Sequence, residues 1–349
     1  MMRLDRRSFS LGIVASVGAC ASGRTQGLTS DPVSSQNLSI ERYSGRMDQI
    51  IGKNVITEVV ADGIDWSEGP TWDQKRQQLY FSDGPQNRIY TWSRKDGLGM
   101  WRAESGSTTP SPAGVNSGTN GLLYLPREDA LLVCDHPSRS ILKYDLGSGG
   151  PGVPFASGQP GPSFNSPNDL VMDAAGGLYF TDPPYGLEGA FDSQIRERAY
   201  QGVYYRTPDG KISLIDDELT APNGIGLSPD GSTLYVAISD RSWPRLVRYA
   251  KTAAGWQRDG DSWFEMKQMQ ADDAPGNPDG MAITTDGTLF ATDPGGVSII
   301  TPQGELLGRI KTRRATGNCT FGEDGSVLFI TADDIIVRVP TKLKSLGFG

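Results

Sequence analysis

Six polar residues recur at one place in an internal repeat, and together they could perform metal-assisted chemistry. Two carry carboxylates and four carry amides, and successive members lie 39 to 56 residues apart. Two carboxylates packed together repel each other unless a cation lies between them. With amide oxygens added, the set predicts an all-oxygen cage for a hard cation, with Ca²⁺ the best match and Mg²⁺ or Mn²⁺ the alternatives. The six positions are Glu68, Asn120, Asn168, Asn223, Asp279 and Asn318.

A competing explanation for these residues is purely conformational. Asn-Gly and Asp-Gly are common turn dipeptides, so the pairs could recur for backbone reasons alone. That explanation accounts less well for Glu68, which stands before Gly-Pro, and for the apolar segment that follows each member. The sequence therefore favours a functional set.

Each member opens a repeat of two apolar segments joined by a tight turn, such as the one at Asp286-Gly287. Six copies of this size match the blades of a β-propeller, because one blade cannot bury both faces of its sheet alone. The sequence predicts an all-β, six-bladed β-propeller, in which the first strands of all blades meet at one axis. The second segments are Leu79–Asp83, Leu131–Asp135, Leu178–Asp182, Leu234–Ile238, Leu289–Asp293 and Val327–Thr331.

Closing the ring requires a strand from the beginning of the chain beside the last blade. The segment Ile-Thr-Glu-Val-Val at residues 56–60 precedes the first repeat, and we expect it to complete the blade that ends at residues 335–339. A short helix is expected over residues 40–51.

The N-terminus has the pattern of an export signal. Arg6-Arg7-Ser8-Phe9 precedes an apolar run at residues 11–17, as in a twin-arginine signal, and small residues before Cys20 resemble a lipoprotein box. We expect a signal over residues 1–23, a flexible tether over 24–39 and the propeller over 40–349. The predicted location is periplasmic. A lipid anchor to the membrane through Cys20 and an ordinary cleaved signal are the two alternatives for the mature N-terminus.

Composition and missing motifs exclude several classes of function. A net charge of −8 gives no reason to bind nucleic acid. The 349 residues contain no Gly-x-Ser-x-Gly elbow, Walker loop or His-Glu-x-x-His motif, and a single histidine leaves a Ser-His-Asp triad little scope. Cys134 and Cys319 lie in apolar strands and are predicted to be buried thiols.

Several ordered motifs resemble those of the gluconolactonase/regucalcin/luciferin-regenerating family, and more distantly those of diisopropyl fluorophosphatase, over about residues 40–340. The resemblance implies that the metal is held by Glu68, Asn168, Asn223 and Asp279. It also implies that Asp279 acts as general base or nucleophile. The motifs are Glu68-Gly-Pro-Thr-Trp72, Ser166-Pro-Asn-Asp-Leu170, Tyr179-Phe-Thr-Asp-Pro-Pro-Tyr-Gly186, Pro222-Asn-Gly-Ile-Gly-Leu-Ser-Pro-Asp-Gly231 and Asn277-Pro-Asp-Gly-Met281.

Three further residues are candidates for substrate binding. Asn120 belongs to the repeated set but not to the ligands that the resemblance implies. His136 follows a second strand and Tyr185 follows two prolines, so either could reach the pocket rim or have only packing contacts. The insertion at residues 188–201 is a lid that sets specificity or simply a long loop. The aspartates that end second strands are expected to cap turns by accepting backbone N–H bonds.

The predicted function is metal-dependent hydrolysis of a small sugar lactone to the aldonic acid. In this hypothesis the cation polarises the lactone carbonyl and Asp279 takes a proton from the attacking water. An esterase or organophosphate hydrolase of the same fold is one alternative, because loops decide specificity. A non-catalytic ligand-binding propeller is the other. It would need no carboxylate pair at the axis.

Overall fold

The computed structural model describes residues 38–108 and 110–345, without the side chains of residues 271–273. The predicted signal at residues 1–23 and the tether up to residue 37 lie outside the described residues and stay predictions. Within the described ranges, no helix is long and apolar enough to cross a membrane.

Nearly all the regular secondary structure of the described chain is β-strand. Its helical parts are α1 (Met47–Ile50) and two 3₁₀ segments, Ala190–Asp192 and Lys267–Asp273. In chain order the strands are β1 Ser39–Arg42, β2 Glu58–Asp62, β3 Ser67–Asp73, β4 Gln78–Asp83, β5 Arg88–Ser93, β6 Gly97–Arg102, β7 Thr119–Leu125, β8 Ala130–Asp135, β9 Ser140–Asp145, β10 Val153–Ser157, β11 Leu170–Met172, β12 Leu178–Asp182, β13 Gly202–Arg206 and β14 Ile212–Asp216. They continue with β15 Pro222–Leu227, β16 Thr233–Ile238, β17 Arg245–Thr252, β18 Gly255–Arg258, β19 Phe264–Glu265, β20 Met281–Ile283, β21 Leu289–Asp293, β22 Gly296–Ile300, β23 Leu306–Lys311, β24 Thr316–Gly322, β25 Val327–Ala332 and β26 Ile335–Pro340.

The strands form six antiparallel sheets, and the sheets form a closed ring, which confirms the predicted six-bladed β-propeller. Four sheets use consecutive strands: β3 to β6, β7 to β10, β11 to β14, and β15 to β18 with β19 beside β17. The fifth sheet is β20 to β23 with β1 added at its outer edge, and the sixth is β24 to β26 with β2. The innermost strands β3, β7, β11, β15, β20 and β24 contact one another around the axis.

The predicted ring closure is confirmed. Strand β2 pairs antiparallel with β26, and Val59 lies opposite Val337. The last blade therefore takes its outermost strand from the beginning of the chain, so its sheet joins residues almost 280 positions apart in sequence.

The helix predicted over residues 40–51 is wrong for most of that range. Ser39–Arg42 form β1, which pairs with β23, and only the four residues of α1 are helical. The outer edge of β23 offers unpaired backbone groups that a neighbouring strand can satisfy, and this pairing outweighs the weak helical pattern. The Arg42 guanidinium donates to the carbonyl oxygens of Ile51 and Gly52, which directly follow α1.

Apolar side chains fill the spaces between successive blades. In β4, Tyr80 packs in a cluster with residues of the second blade, whereas Leu79 and Phe81 pack in a cluster with Phe329 of the sixth. Alternate residues of one strand thus face opposite neighbours. Because both faces of each sheet are covered, the second strands are buried along nearly their whole length. This packing holds the inner strands rigidly around the axis.

Candidate active site

The six predicted positions lie on neighbouring inner strands or immediately before them, at the same end of the channel. Glu68 belongs to β3, Asn120 to β7, Asn223 to β15 and Asn318 to β24, whereas Asn168 and Asp279 precede β11 and β20 by two residues. Backbone hydrogen bonds link the ring from blade to blade. Gly121 N donates to Asn168 O at 2.8 Å and Gly280 N donates to Gly317 O at 2.7 Å.

The glycines beside these residues serve close approach of neighbouring blades rather than turns. A Cβ added to Gly121 would clash with the carbonyl oxygen of Asn168, and one added to Gly224 would clash with that of Asp279. At Gly317, the added atom would meet the carboxylate of Glu68. The Asn-Gly and Asp-Gly pairs are therefore needed because adjacent inner strands touch at the axis. The turn explanation does not account for them.

Three carboxyl groups lie close enough at the axis for their charges to interact. Burial raises the pKa of Glu68 to about 7 and that of Asp169 to about 6. Burial, with the charges of Glu68 and Asp169, also raises the pKa of Asp279. No lysine or arginine among the described residues contributes to any of these shifts. The site holds more negative charge than its own protein groups compensate.

Glu68 is held in place by the donors around it. The Trp66 indole N–H donates to Glu68 Oε1 at 3.3 Å, and Gly69 N donates to Oε2 at 3.1 Å. The residue is only 4% exposed. Asp279 is partly buried, and its backbone N–H donates to Thr292 Oγ1 at 2.9 Å. The Glu68 carboxylate and the Asp279 backbone are thus each held by residues of their own blade.

The amide of Asn223 provides an oxygen with no partner. Its Nδ2 donates to Ser239 Oγ at 3.0 Å, but its buried Oδ1 accepts no hydrogen bond from the residues that the structure describes. An orphaned buried acceptor is costly, and a cation would satisfy it. The described residues contain no group of three or more His, Cys, Asp or Glu side chains arranged for a metal, so amides must supply part of any ligand set. Uncompensated carboxylates and a free amide oxygen fit a hard cation.

Sequence reasoning missed Asp169, Trp66 and Ser239. Asp169 follows a predicted ligand directly, and its Oδ2 accepts a hydrogen bond from Ile225 N of the next blade at 3.1 Å. Its position next to Asn168 could have predicted it as a site residue. Both residues directly precede β11, where neighbouring side chains can each approach the axis. Trp66 and Ser239 lie outside the repeated position, so the repeat gives no signal for them.

The three candidate substrate-binding residues occupy different places. Asn120 is partly buried in the ring. His136 is buried against Gly186 and Ser166, its Nε2 lacks a partner, and burial lowers its pKa to about 4. Such a histidine is neutral at pH 7.

Tyr185 lies close enough to the predicted base for the charge of Asp279 to affect it. Its phenol lies beside Ser239, and burial together with the charge of Asp279 raises its pKa. The ring packs edge-on against Phe191, with centroids 5.5 Å apart, and Phe191 is 41% exposed. Tyr185 and Phe191 thus form an aromatic wall next to the axial pocket.

The insertion at residues 188–201 is tied to the rest of the rim by hydrogen bonds. Glu188 N donates to Gly114 O at 2.8 Å, and the Arg139 guanidinium contacts both Ile195 O and Glu197. Ser163 N donates to Glu197 as well. The segment is therefore anchored to neighbouring loops.

The aspartates that end second strands have backbone partners, as predicted. Asp135 accepts from Ser107 N and Ser138 N, and Asp182 accepts from Asn165 N and Ser166 N, all at 2.8 to 2.9 Å. Asp83 accepts from Asp65 N at 3.1 Å. Asp293 differs, because it pairs with the Arg309 guanidinium. These groups stabilise loops and do not line the axis.

The fold and the site define a six-bladed β-propeller with a pocket of carboxylates and amides on its axis. Residues 66–334 match the family described as SMP-30/Gluconolactonase/LRE-like region, and the chain belongs to that family.

Relatives of known name agree with this assignment. A gluconolactonase of Zymomonas mobilis is 40% identical over 308 residues, which cover 87% of this chain and 86% of the relative. The structure of XC5397 from Xanthomonas campestris, described as a gluconolactonase, is 26% identical with a TM-score of 0.73 and covers 87% of this chain and 95% of its own. Regucalcin from Agrobacterium tumefaciens, described as calcium-binding, shares the fold at 17% identity and a TM-score of 0.64, over 83% of this chain and 95% of its own.

Proposed function

We propose that this chain is a lactonase that hydrolyses a sugar lactone to the aldonic acid with the help of one divalent cation. Ca²⁺ is the best chemical match, and Glu68, Asn168, Asn223 and Asp279 would hold it. The observation that carries the proposal is the meeting of buried, uncompensated carboxylates with the free Asn223 Oδ1 at the axis. The substrate class is supported by the gluconolactonase names of the relatives.

The bound cation would supply Lewis-acid polarisation of the lactone carbonyl. Asp279 is the proposed general base, because the residue is partly exposed and its carboxylate would lie next to the polarised carbonyl. It removes a proton from the water that attacks the carbonyl carbon. The bond from that carbon to the ring oxygen then breaks, and the ring oxygen takes up a proton. One lactone and one water thus give one hydroxy acid.

The substrate is proposed to lie against the rim formed by Asn120, His136 and Tyr185. Tyr185 is placed beside Asp279, so its hydroxyl can contact a sugar hydroxyl near the reacting carbon. His136 is neutral and has an unpaired Nε2, so it can exchange one hydrogen bond with an uncharged substrate.

Acid release measured in a pH-stat tests the proposal directly. We expect the protein to release acid from aldonolactones, to lose that activity in EDTA and to regain it with Ca²⁺. A parallel panel of aryl esters and phosphotriesters distinguishes the same-fold esterase or organophosphate hydrolase. Turnover of only those substrates would replace the lactonase proposal, and no turnover of any substrate with Ca²⁺ present would favour a ligand-binding propeller.

We also propose export to the periplasm, on the basis of Arg6-Arg7 and Cys20 in the sequence. Replacing both arginines by lysine is expected to keep the protein in the cytoplasmic fraction. Cys20→Ser is expected to release it from the membrane fraction if a lipid anchors it. Periplasmic recovery of the lysine variant would contradict the export proposal.

A further inference from the structure

Ser239 stands at a point where three elements of the candidate site meet. It follows β16 of the fourth blade, and its own backbone N–H donates to Ala221 O at 3.0 Å. Its Oγ accepts from Asn223 Nδ2 at 3.0 Å and donates to the carbonyl oxygen of Pro278. The Tyr185 phenol lies beside it. The Ser239 hydroxyl thus contacts the predicted ligand Asn223 and the residue that precedes the predicted ligand Asp279. It also lies beside Tyr185 at the rim.

The hydrogen-bonding capacity of a serine determines how these groups are oriented. A hydroxyl has one proton to donate and two lone pairs that accept. Because Ser239 gives its proton to Pro278 O, its oxygen can only accept from Asn223. The amide of Asn223 must therefore turn its NH₂ toward Ser239, which leaves Oδ1 on the opposite side, where it has no protein partner.

In other blades, a hydroxyl two residues earlier in the repeat donates to the backbone. Ser82 Oγ and Thr181 Oγ1 each donate to a backbone carbonyl of the next inner strand, Asn120 O and Asn223 O, at 2.7 Å. In the fourth blade that place is taken by Ala237, and Ser239, two residues later, makes the contact to the fifth blade instead. This displacement is what brings a hydroxyl within reach of the Asn223 side chain.

We propose that Ser239 is a positioning residue that holds the Asn223 amide with its carbonyl oxygen facing the axial pocket, ready to bind a divalent cation. The inference rests on the proposed metal-dependent function. Partners of metal ligands typically change metal affinity about 10- to 100-fold when they are removed. Without Ser239 Oγ the amide can rotate, and either of its ends can face the pocket.

The test is calorimetric titration of EDTA-treated proteins with Ca²⁺, which reads affinity without lactone turnover. Ser239→Ala is expected to bind Ca²⁺ about 10- to 100-fold more weakly than the wild type. Ser82→Ala is the matched control, since it removes a buried hydroxyl that bonds to a backbone carbonyl but to no predicted ligand side chain. It is expected to stay within about threefold of the wild type. Ser239→Thr, which keeps a hydroxyl, is expected to recover most of the affinity.

The outcomes separate this inference from the function on which it rests. Wild-type affinity in Ser239→Ala would overturn the role of Ser239 and leave the metal proposal intact. An equal loss in Ser82→Ala, or in Ser239→Thr, would also overturn it, because the effect would then not depend on the hydroxyl at this place. A wild-type protein that binds no divalent cation would overturn both.

Discussion

Polar residues recur at two places in the repeat, at the axis in all six blades and as aspartates at the ends of second strands in four, and the two sets differ in what satisfies them. At the ends of second strands, Asp135 and Asp182 accept hydrogen bonds from backbone N–H groups, and Asp293 pairs with Arg309. At the axis, Glu68 and Asp279 have no cationic partner, and their pKa values are raised. Both sets stand out in the sequence as recurring polar residues. Only the unsatisfied one can offer a ligand site.

The comparison shows that burial alone does not mark function. Burial raises the pKa of Asp182 to about 8, a larger change than the one at Glu68, yet both Asp182 oxygens already have backbone donors. A raised pKa at a capped residue reflects a structural environment. The distinguishing feature of the axial set is several carboxylates together with a free amide oxygen.

The largest expected effect falls on the axial set. Asp279→Asn removes the proposed base, and lactone turnover should drop by about 10²- to 10⁴-fold while the melting profile stays that of a folded propeller. Asp173→Asn serves as control, because Asp173 caps a turn at the other end of the channel through backbone N–H groups. Initial rates in a pH-stat measure both. An equal loss of turnover in both variants would contradict the distinction between the axial residue Asp279 and the turn-capping residue Asp173.

Replacing an aspartate of the strand-end set should lower the stability of the fold rather than the activity. Asp182→Ala leaves the buried N–H groups of Asn165 and Ser166 without acceptors, which should lower the free energy of unfolding by about 3 kcal/mol. Urea unfolding measures this loss. Ca²⁺ affinity should stay at the wild-type value, and a large fall in affinity would show that the cap also shapes the metal site.

Cation binding should stabilise the protein through the axial set. At a Ca²⁺ concentration about 100 times Kd, the free energy of unfolding should rise by about 2.7 kcal/mol. Glu68→Gln should abolish this rise and should melt above the wild type in EDTA, since it removes a buried charge without a partner. Thermal melting with and without Ca²⁺ measures both effects. A calcium-dependent rise retained in Glu68→Gln would place the cation elsewhere.

The smallest effect concerns His136, which belongs to neither set. Its pKa is about 4 in the folded protein, below the ordinary value of 6.5, so the unfolded chain gains a proton first as the pH falls. Above pH 6.5 this histidine therefore leaves the free energy of unfolding unchanged. Between pH 6.5 and 4 it lowers the free energy of unfolding as the pH falls. From pH 7 to 5 the loss should be about 1 to 2 kcal/mol, and His136→Gln should lack that part. Unfolding of both proteins at the two pH values tests it.

Much of the architecture could be predicted because equivalent strands recur at equivalent places in each repeat of the sequence. The apolar second strands and the closing strand β2 follow from alternation and from the need to bury two faces of each sheet. Strand β1 could not be found in this way, since four residues at a sheet edge have no pattern of their own. Its partner, β23, lies more than 260 residues later.

The candidate site was predictable only where it follows the repeat. The six axial positions share one place in each unit, so their meeting follows from the symmetry of the ring. Ser239 and Trp66 touch the predicted ligands from loops that break the repeat. Their contacts depend on the path of each loop in three dimensions, which sequence periodicity does not encode.

The central claim is that one divalent cation binds where Glu68, Asn168, Asn223 and Asp279 meet. A crystal of the protein soaked in Mn²⁺, with anomalous scattering recorded, tests it most directly. We expect one strong peak on the propeller axis, with oxygens of these four side chains at about 2.1 to 2.6 Å. A map with no peak there, or with these side chains turned away from a cation bound elsewhere, would contradict the account.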